Sequence, residues 1–234
     1  MLRQIKTFVV VTSNVAAHLL FRRKPFRLKK DRMFSDFYRR QVAQHINVPI
    51  NFENHYGKSR DYLMEVFGRL KPGSTVLDLG CYLSKRLNWF AKRNPDISFV
   101  GVDISLDTLL VANDHVKFQP NVRIVAADFK DLPFPPETFD MAFSHLALCN
   151  VSYSQIEAVY QEITRVSKTE IIIIEPYHRP LPLKQKLLLI AAPDKYAHNY
   201  ADLIDDRITL QDSIPLFDKS SQFHPITIFN YLKK

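Results

Sequence analysis

Three aspartates stand at equal intervals of 25 residues, Asp78, Asp103 and Asp128, each near or just past the end of a short β-rich run. That interval is one strand-helix-strand step, so the repetition carries three carboxylates to the same edge of a parallel sheet. A carboxylate at the end of the second strand suits a ribose, because it can accept hydrogen bonds from two adjacent hydroxyls. Any one of them alone could equally serve a turn or cap a helix. The first aspartate opens "VLDLGCYLSKRLN", Val76 to Asn88, a strand-to-helix loop with the single glycine Gly80. His145 follows the fourth β-rich run, and Tyr177 and His178 follow the fifth in "EPYHRP". These three are candidates for taking a proton at the same edge, with a hydrogen-bonded structural role as the competing reading of each histidine. The histidines show no paired ligand spacing, and Cys81 and Cys149 no C-x-x-C spacing, so no metal site is expected. Both cysteines read as small packing residues.

The elements that must position these groups follow from periodicity. "TVLDL", "ISFVGV", "VRIVAA", "FDMAFS" and "EIIIIEP" are apolar without alternation, as strands covered on both faces require. Helical patterns lie between them at Lys85 to Lys92, Leu106 to His115 and Ser154 to Ser167. This alternation predicts an α/β fold with a doubly wound, mostly parallel sheet. Upstream, "FSDFYRRQVAQHI" and "RDYLMEVFGRL" have helical spacing, the second stopped by "KPG" at Lys71 to Gly73. Downstream come a helical "LKQKLLLIA", a polar helical stretch near His198 to Asp206, and strands near Ile208 to Phe217 and Phe223 to Leu232.

With 234 residues and 46% hydrophobic content, one globular domain with an appendage is the simplest organisation. The net charge of +8 is not spread over it. Residues 1–32 hold nine Lys/Arg against the single acid Asp31, and the remainder is neutral, with 23 basic and 23 acidic side chains. A neutral body without an aromatic-basic patch disfavours nucleic acid as partner. Thr7 to Phe21 is mostly apolar but short of the about 20 residues that span a bilayer. Residues 1–32 therefore read as an interfacial helix on an anionic membrane surface, as a helix packed on the domain with a solvated basic tail, or as an organellar targeting segment. The expected setting is cytoplasmic, with peripheral membrane association through this segment.

"VLDLGC", "GVDIS", "VAADFKDLPFPPETFDMAFS" and "EITRVSKTEIIIIEP" occur in the order and spacing of class I S-adenosylmethionine-dependent methyltransferases, and the chain resembles that family, type 11 in particular, from Ser59 to Pro176. "AHNYADLI" and the terminal "HPITIFNYLKK" resemble it more loosely. The resemblance implies a Rossmann-like sheet of seven strands, the last antiparallel and inserted near one edge, with a helical N-terminal extension. It divides the chain into the extension 1–32 and a domain 33–234, made of a helical cap 33–70, a cofactor-binding core 75–176 and C-terminal helices and strands 177–234. It implies S-adenosyl-L-methionine as cofactor, methyl transfer as activity and a small-molecule or lipid-like acceptor. By position, Asp78, Gly80 and Cys81, with Tyr82 on the same loop, would line the methionine portion. Asp103 would bind the ribose, with Ile104 on the adenine; Asp128 would accept from the adenine amino group, with Phe129 flanking the ring. Ser144 and His145 would face cofactor and substrate entrance, and Tyr56 and Lys58, in "NFENHYGKSRDYL", would belong to a lid or else to a solvated connection in which Ser59 caps the next helix.

The glycine pattern separates the competing readings. A nicotinamide dehydrogenase needs G-x-G-x-x-G, and only Gly80 is present. The methyltransferase pattern D-x-G-x-G-x-G is itself incomplete, with Tyr82 and Ser84 at its second and third glycines. Ser84 is small and expected to cap the following helix. Tyr82 would cost roughly 1 to 2 kcal/mol in a left-handed conformation, so either the loop takes another path with the ring outward or the pocket is compromised. The second case gives the alternative function, a catalytically silent scaffold.

Overall fold

The structure, a computed structural model, describes residues 57–176, His198, Tyr200, 206–216 and 226–234. The basic segment 1–32, the helix expected after it, Tyr56, and the segment with Tyr177, His178 and "LKQKLLLIA" lie outside the described residues, as does most of the stretch expected to be helical near His198 to Asp206.

Five strands and three intervening helices follow the expected alternation: β1 (Thr75–Leu79), α2 (Lys85–Arg93), β2 (Ser98–Asp103), α3 (Leu106–Val116), β3 (Val122–Ala126), β4 (Phe139–His145), α4 (Ile156–Val166) and β5 (Ser167–Pro176). Before them stands α1 (Gly57–Phe67), and after them β6 (Ile208–Leu216) and β7 (Ile226–Lys233). α1 stops at Phe67, before Gly68 and three residues short of Leu70, because glycine gives the helix no support and the following turn closes through Arg69 N and Leu70 N on the carbonyls of Val66 and Phe67.

The seven strands form one sheet in the order β3-β2-β1-β4-β5-β7-β6. All pairs from β3 to β5 are parallel, and β7 lies antiparallel between β5 and β6. This is the expected doubly wound sheet with its antiparallel strand near one edge. The chain runs outward from β1 to β3, returns to β4 and continues the other way, so strand order reverses between β1 and β4.

Alternation along each strand fills two cores. One face carries Val76, Phe99, Ile124, Met141, Phe143, Ile172 and Ile174 against α1, α2 and α3; the other carries Leu77, Leu79, Val102, Ala142, Ile171 and Ile173 against α4. Right-handed crossovers in opposite directions from one sheet put their helices on opposite faces, which gives three layers. α4 seats Ile156, Val159, Tyr160, Ile163 and Val166 at helical spacing on its buried side. Phe67 anchors α1, its ring meeting Phe90, Phe99 and Phe143 edge-on at centroid distances of 5.2, 5.4 and 5.9 Å. Phe67→Ala is expected to cost about 3 to 5 kcal/mol of unfolding free energy, measured by urea denaturation.

Candidate active site

β1 ends in the loop that sequence reading singles out, at the reversal of strand order. Gly80 has φ 79° and its N–H donates to the Val102 carbonyl at 2.8 Å. A Cβ there would stand 2.3 Å from that of Ala147, so no other residue fits. The loop then keeps the left-handed path without glycines: Tyr82 has φ 47° and Ser84 φ 53°. Each costs roughly 1 to 2 kcal/mol, offset locally by the Tyr82 N–H donating to Asp103 Oδ2 at 3.1 Å and by burial of Leu83. The expectation of another path with the ring turned outward is not met, since Tyr82 is half-buried and burial, followed by the nearby Asp103, pushes its phenol up to about 12. Nor does Ser84 cap α2 with its side chain; an N-cap needs extended backbone, and that of Ser84 is left-handed.

Asp103 closes β2 with its carboxylate 7% exposed, accepting also from Ser105 N at 2.9 Å. Ser105 in turn caps α3 through its hydroxyl. Burial raises Asp103 to about 6, against those amide donors. Beside it Ile104 is 39% exposed, an apolar surface left open. Phe129 is half-buried, its ring 3.6 Å from where a Gly80 Cβ would be, so it flanks the same loop. Asp128 is half-buried and partly committed, accepting from Lys130 N at 3.0 Å and pairing with Lys130 Nζ at 3.5 Å. Cys81 is buried beneath the loop, and burial, then Asp103 and Asp78, push its thiol well up, so it stays protonated.

Asp78 is wholly buried, and burial raises its carboxyl while Arg86 on α2 opposes that rise. Arg86 Nη2 donates to Asp78 Oδ1 at 3.0 Å, and Nη1 donates to His145 Nδ1. An arginine only donates, so His145 accepts at Nδ1 and carries its proton on Nε2, which faces Ser59 Oγ at 3.4 Å. Burial, then the Arg86 cation, holds the imidazole well below its usual range. Ser59 is the third residue of α1, and its hydroxyl lies toward His145 rather than at the cap that one of the two readings of this stretch assigns it. Lys58, next to it, is exposed.

Ser144 does not face an opening. It is fully buried, and its hydroxyl donates to Glu175 Oε1 at 2.8 Å. The same carboxylate accepts the backbone N–H groups of Ala147, Leu148 and Cys149 at 2.7, 2.8 and 3.2 Å. It thereby fixes the loop after β4, in which Leu146 has φ 59° and Ala147 presses on Gly80. Sequence reading missed Glu175 and Arg86; an acid in an otherwise apolar strand, "IIIIEP", was the available signal for the first.

The structure thus gathers Asp78, Gly80, Cys81, Tyr82, Asp103, Phe129 and His145 around one crevice at the switch point. The stretch that builds this crevice matches a family model. Residues 76–170 match a methyltransferase domain. Over 125 residues it is 31% identical to a demethylmenaquinone methyltransferase of Lysinibacillus sphaericus, covering 53% of this chain and 51% of that protein. Over 115 residues it is 36% identical to a 2-phytyl-1,4-naphtoquinone methyltransferase of Nostoc, covering 47% and 49%. The chain therefore spans about half the length of these curated relatives. A Streptomyces coelicolor geranyl diphosphate C-methyltransferase, solved with Mg2+, geranyl-S-thiolodiphosphate and S-adenosyl-L-homocysteine, superposes with a TM-score of 0.64 over 76% of each chain at 15% identity, which is a likeness of fold.

At the end of β5 the Glu175 carboxylate serves four donors at once. Glu175→Ala strands them, and at least about 3 kcal/mol of stability is expected to go; Glu175→Gln, which keeps an acceptor, should lose less in the same denaturation experiment.

Proposed function

We propose that this protein transfers a methyl group from S-adenosyl-L-methionine to a small-molecule acceptor. The observation that carries the reading is the pair of buried carboxylates, Asp78 and Asp103, at the ends of adjacent strands on either side of the Gly80 turn. In this reading Asp103 accepts from both ribose hydroxyls, Ile104 and Phe129 flank the base, and Asp78, whose Oδ2 is buried without a partner among the described residues, accepts from the methionine ammonium. The residues present therefore fit this cofactor. Bound, it supplies a methyl group already activated by a positive sulfonium. The chain's own contribution is orientation and exclusion of water, able to supply about 7 to 11 kcal/mol.

His145, neutral and with Nδ1 engaged by Arg86, acts in this reading as an orienting group on Arg86. Where the acceptor arrives protonated, His178 and Tyr177, which follow β5 in sequence, are the proton acceptors we assign. A lipid-like acceptor is supported by the basic residues 1–32 and by the quinone methyltransferases among the relatives. The full chain should then sediment with anionic vesicles and a chain lacking residues 1–32 should not; absence of binding by the full chain defeats the lipid assignment.

A second reading, the silent scaffold, is favoured by one observation: two side-chain-bearing residues, Tyr82 and Ser84, hold left-handed positions in the cofactor loop. Calorimetric titration with S-adenosylhomocysteine separates the two. Micromolar binding lost in Asp103→Ala supports the transferase; no binding by the folded protein supports the scaffold. The pH dependence adds a check. Ionised Asp103 is needed to accept both hydroxyls, so affinity should fall as pH is lowered through about 6, and Asp103→Asn should abolish that dependence. Folding runs the other way: a raised folded-state carboxyl makes stability fall as pH rises from 3.8 to about 6.

A further inference from the structure

α2 reads "KRLNWFAKR": Lys85, Arg86, Lys92 and Arg93 are cations, and the helix holds no acid. Lys92 and Arg93 in the last turn suit the helix dipole and Arg86 answers Asp78, but Lys85 in the first turn opposes the dipole. Helix stability therefore does not account for the set. Folding brings α1 to the same face. The guanidinium of Arg93 lies 3.7 Å from the Trp89 ring centroid, and that of Arg60, on α1, 5.9 Å from it. Trp89 is half-buried, packed on the core and edge-on to Phe90 at 5.4 Å, so its ring is a fixed bed for both cations. Lys58, Lys92 and Arg93 are exposed. The acids at the border are Asp61, paired with Arg60 at 2.6 Å, Glu65, paired with Arg69 at 3.1 Å, and Asp96 beyond the end of α2. The chain thus has an aromatic-basic patch that its sequence does not show, because the parts lie on two helices.

This face adjoins the crevice. Lys58 and Arg60 flank Ser59, whose Oγ lies 3.4 Å from His145 Nε2, and Lys85 precedes Arg86. We infer that the outer face of α1 and α2 is a docking surface for an anionic lipid bilayer, laid side-on so that the crevice opens at the level of the headgroups. The inference rests on the lipid-like acceptor proposed above and adds to the basic residues 1–32 a second contact, borne by the folded body. One weak contact gives only marginal attachment to a membrane; two together give a stable one. Each exposed cation gains from the negative surface potential, and a tryptophan suits the headgroup level. A nucleic acid fits less well, since bases stack on an open ring and Arg93 already covers that of Trp89.

Trp89 is the single tryptophan of the chain, so its emission reports on this face and not on residues 1–32. The test titrates the full chain with phosphatidylcholine vesicles, with and without phosphatidylglycerol, part of the lipid being spin-labelled at the headgroup. Binding is expected to need phosphatidylglycerol, to weaken with salt and to quench Trp89. Lys92→Glu with Arg93→Glu, both exposed and outside the crevice, should weaken binding by about tenfold or more while circular dichroism matches wild type. Should that variant fail to fold, Lys92→Gln with Arg93→Gln carries the same comparison with a smaller loss. Vesicle binding that leaves Trp89 unquenched, or that the charge reversal does not alter, overturns this inference and leaves the lipid assignment through residues 1–32 standing. No vesicle binding by the full chain defeats both. Tighter binding of a single-stranded RNA, lost in the same variant, gives the face to nucleic acid and overturns the inference as well.

Discussion

A carboxylate taken out of water must be met by donors or give up its charge, and the carboxyl edge of this sheet holds three such groups. Glu175, Asp78 and Asp103 stand at the ends of β5, β1 and β2, all with less than a tenth of their surface exposed. Their partners are what shape the edge. Glu175 draws in four donors and folds the loop after β4; Asp103 takes two backbone amides and so holds the turn after β1 and the start of α3; Asp78 takes an arginine. Solvation lost by each acid is recovered as a fixed loop, which is how a polar edge becomes a rigid one.

The reversal of strand order explains why these loops meet. Adjacent parallel strands usually send their following loops over the same side of the sheet, leaving no gap. Between β1 and β4 the chain departs to opposite faces, α2 to one and α4 to the other. The crevice so opened is bordered by the Gly80 turn and by Ala147, and each limits the other: the absence of a side chain at Gly80 is what allows Ala147 to close in. Tyr82 and Ser84 show that the left-handed path of the turn is imposed by its anchors rather than by glycine, since the surroundings over-determine a conformation that these residues do not favour.

How much of this was legible in the sequence depended on the range of the interaction. Strands such as "EIIIIEP" were readable because cover on both faces leaves an unbroken apolar run, and the three aspartates because one repeated supersecondary step spaces them evenly. Arg86 was not readable: on a helix an arginine looks like a solvated residue, and only folding brings it to Asp78 and to His145, 59 residues away. The contact between Ser59 and His145, 86 residues apart, is silent for the same reason, and Glu175 showed only as an acid out of place. Ser84 misled because composition suggests a cap while backbone conformation decides whether one forms. Tyr56, Tyr177 and His178, expected at the lid and at the edge, lie outside the described residues.

The position of β7 bears on how the chain is made. β5 carries Ile171 to Ile174, all buried, and among the described residues its far edge pairs only with β7, which begins at Ile226. On a ribosome that edge therefore emerges about fifty residues before its partner exists, and β6, made in the interval, pairs with β7 and, among the described residues, with no other strand. Among the described strands, neither β5 on this side nor β6 has its neighbour until β7 is synthesised. β5, with its run of buried isoleucines, thus waits as an open template, and β7 acts as the clasp that removes it from reach of other chains.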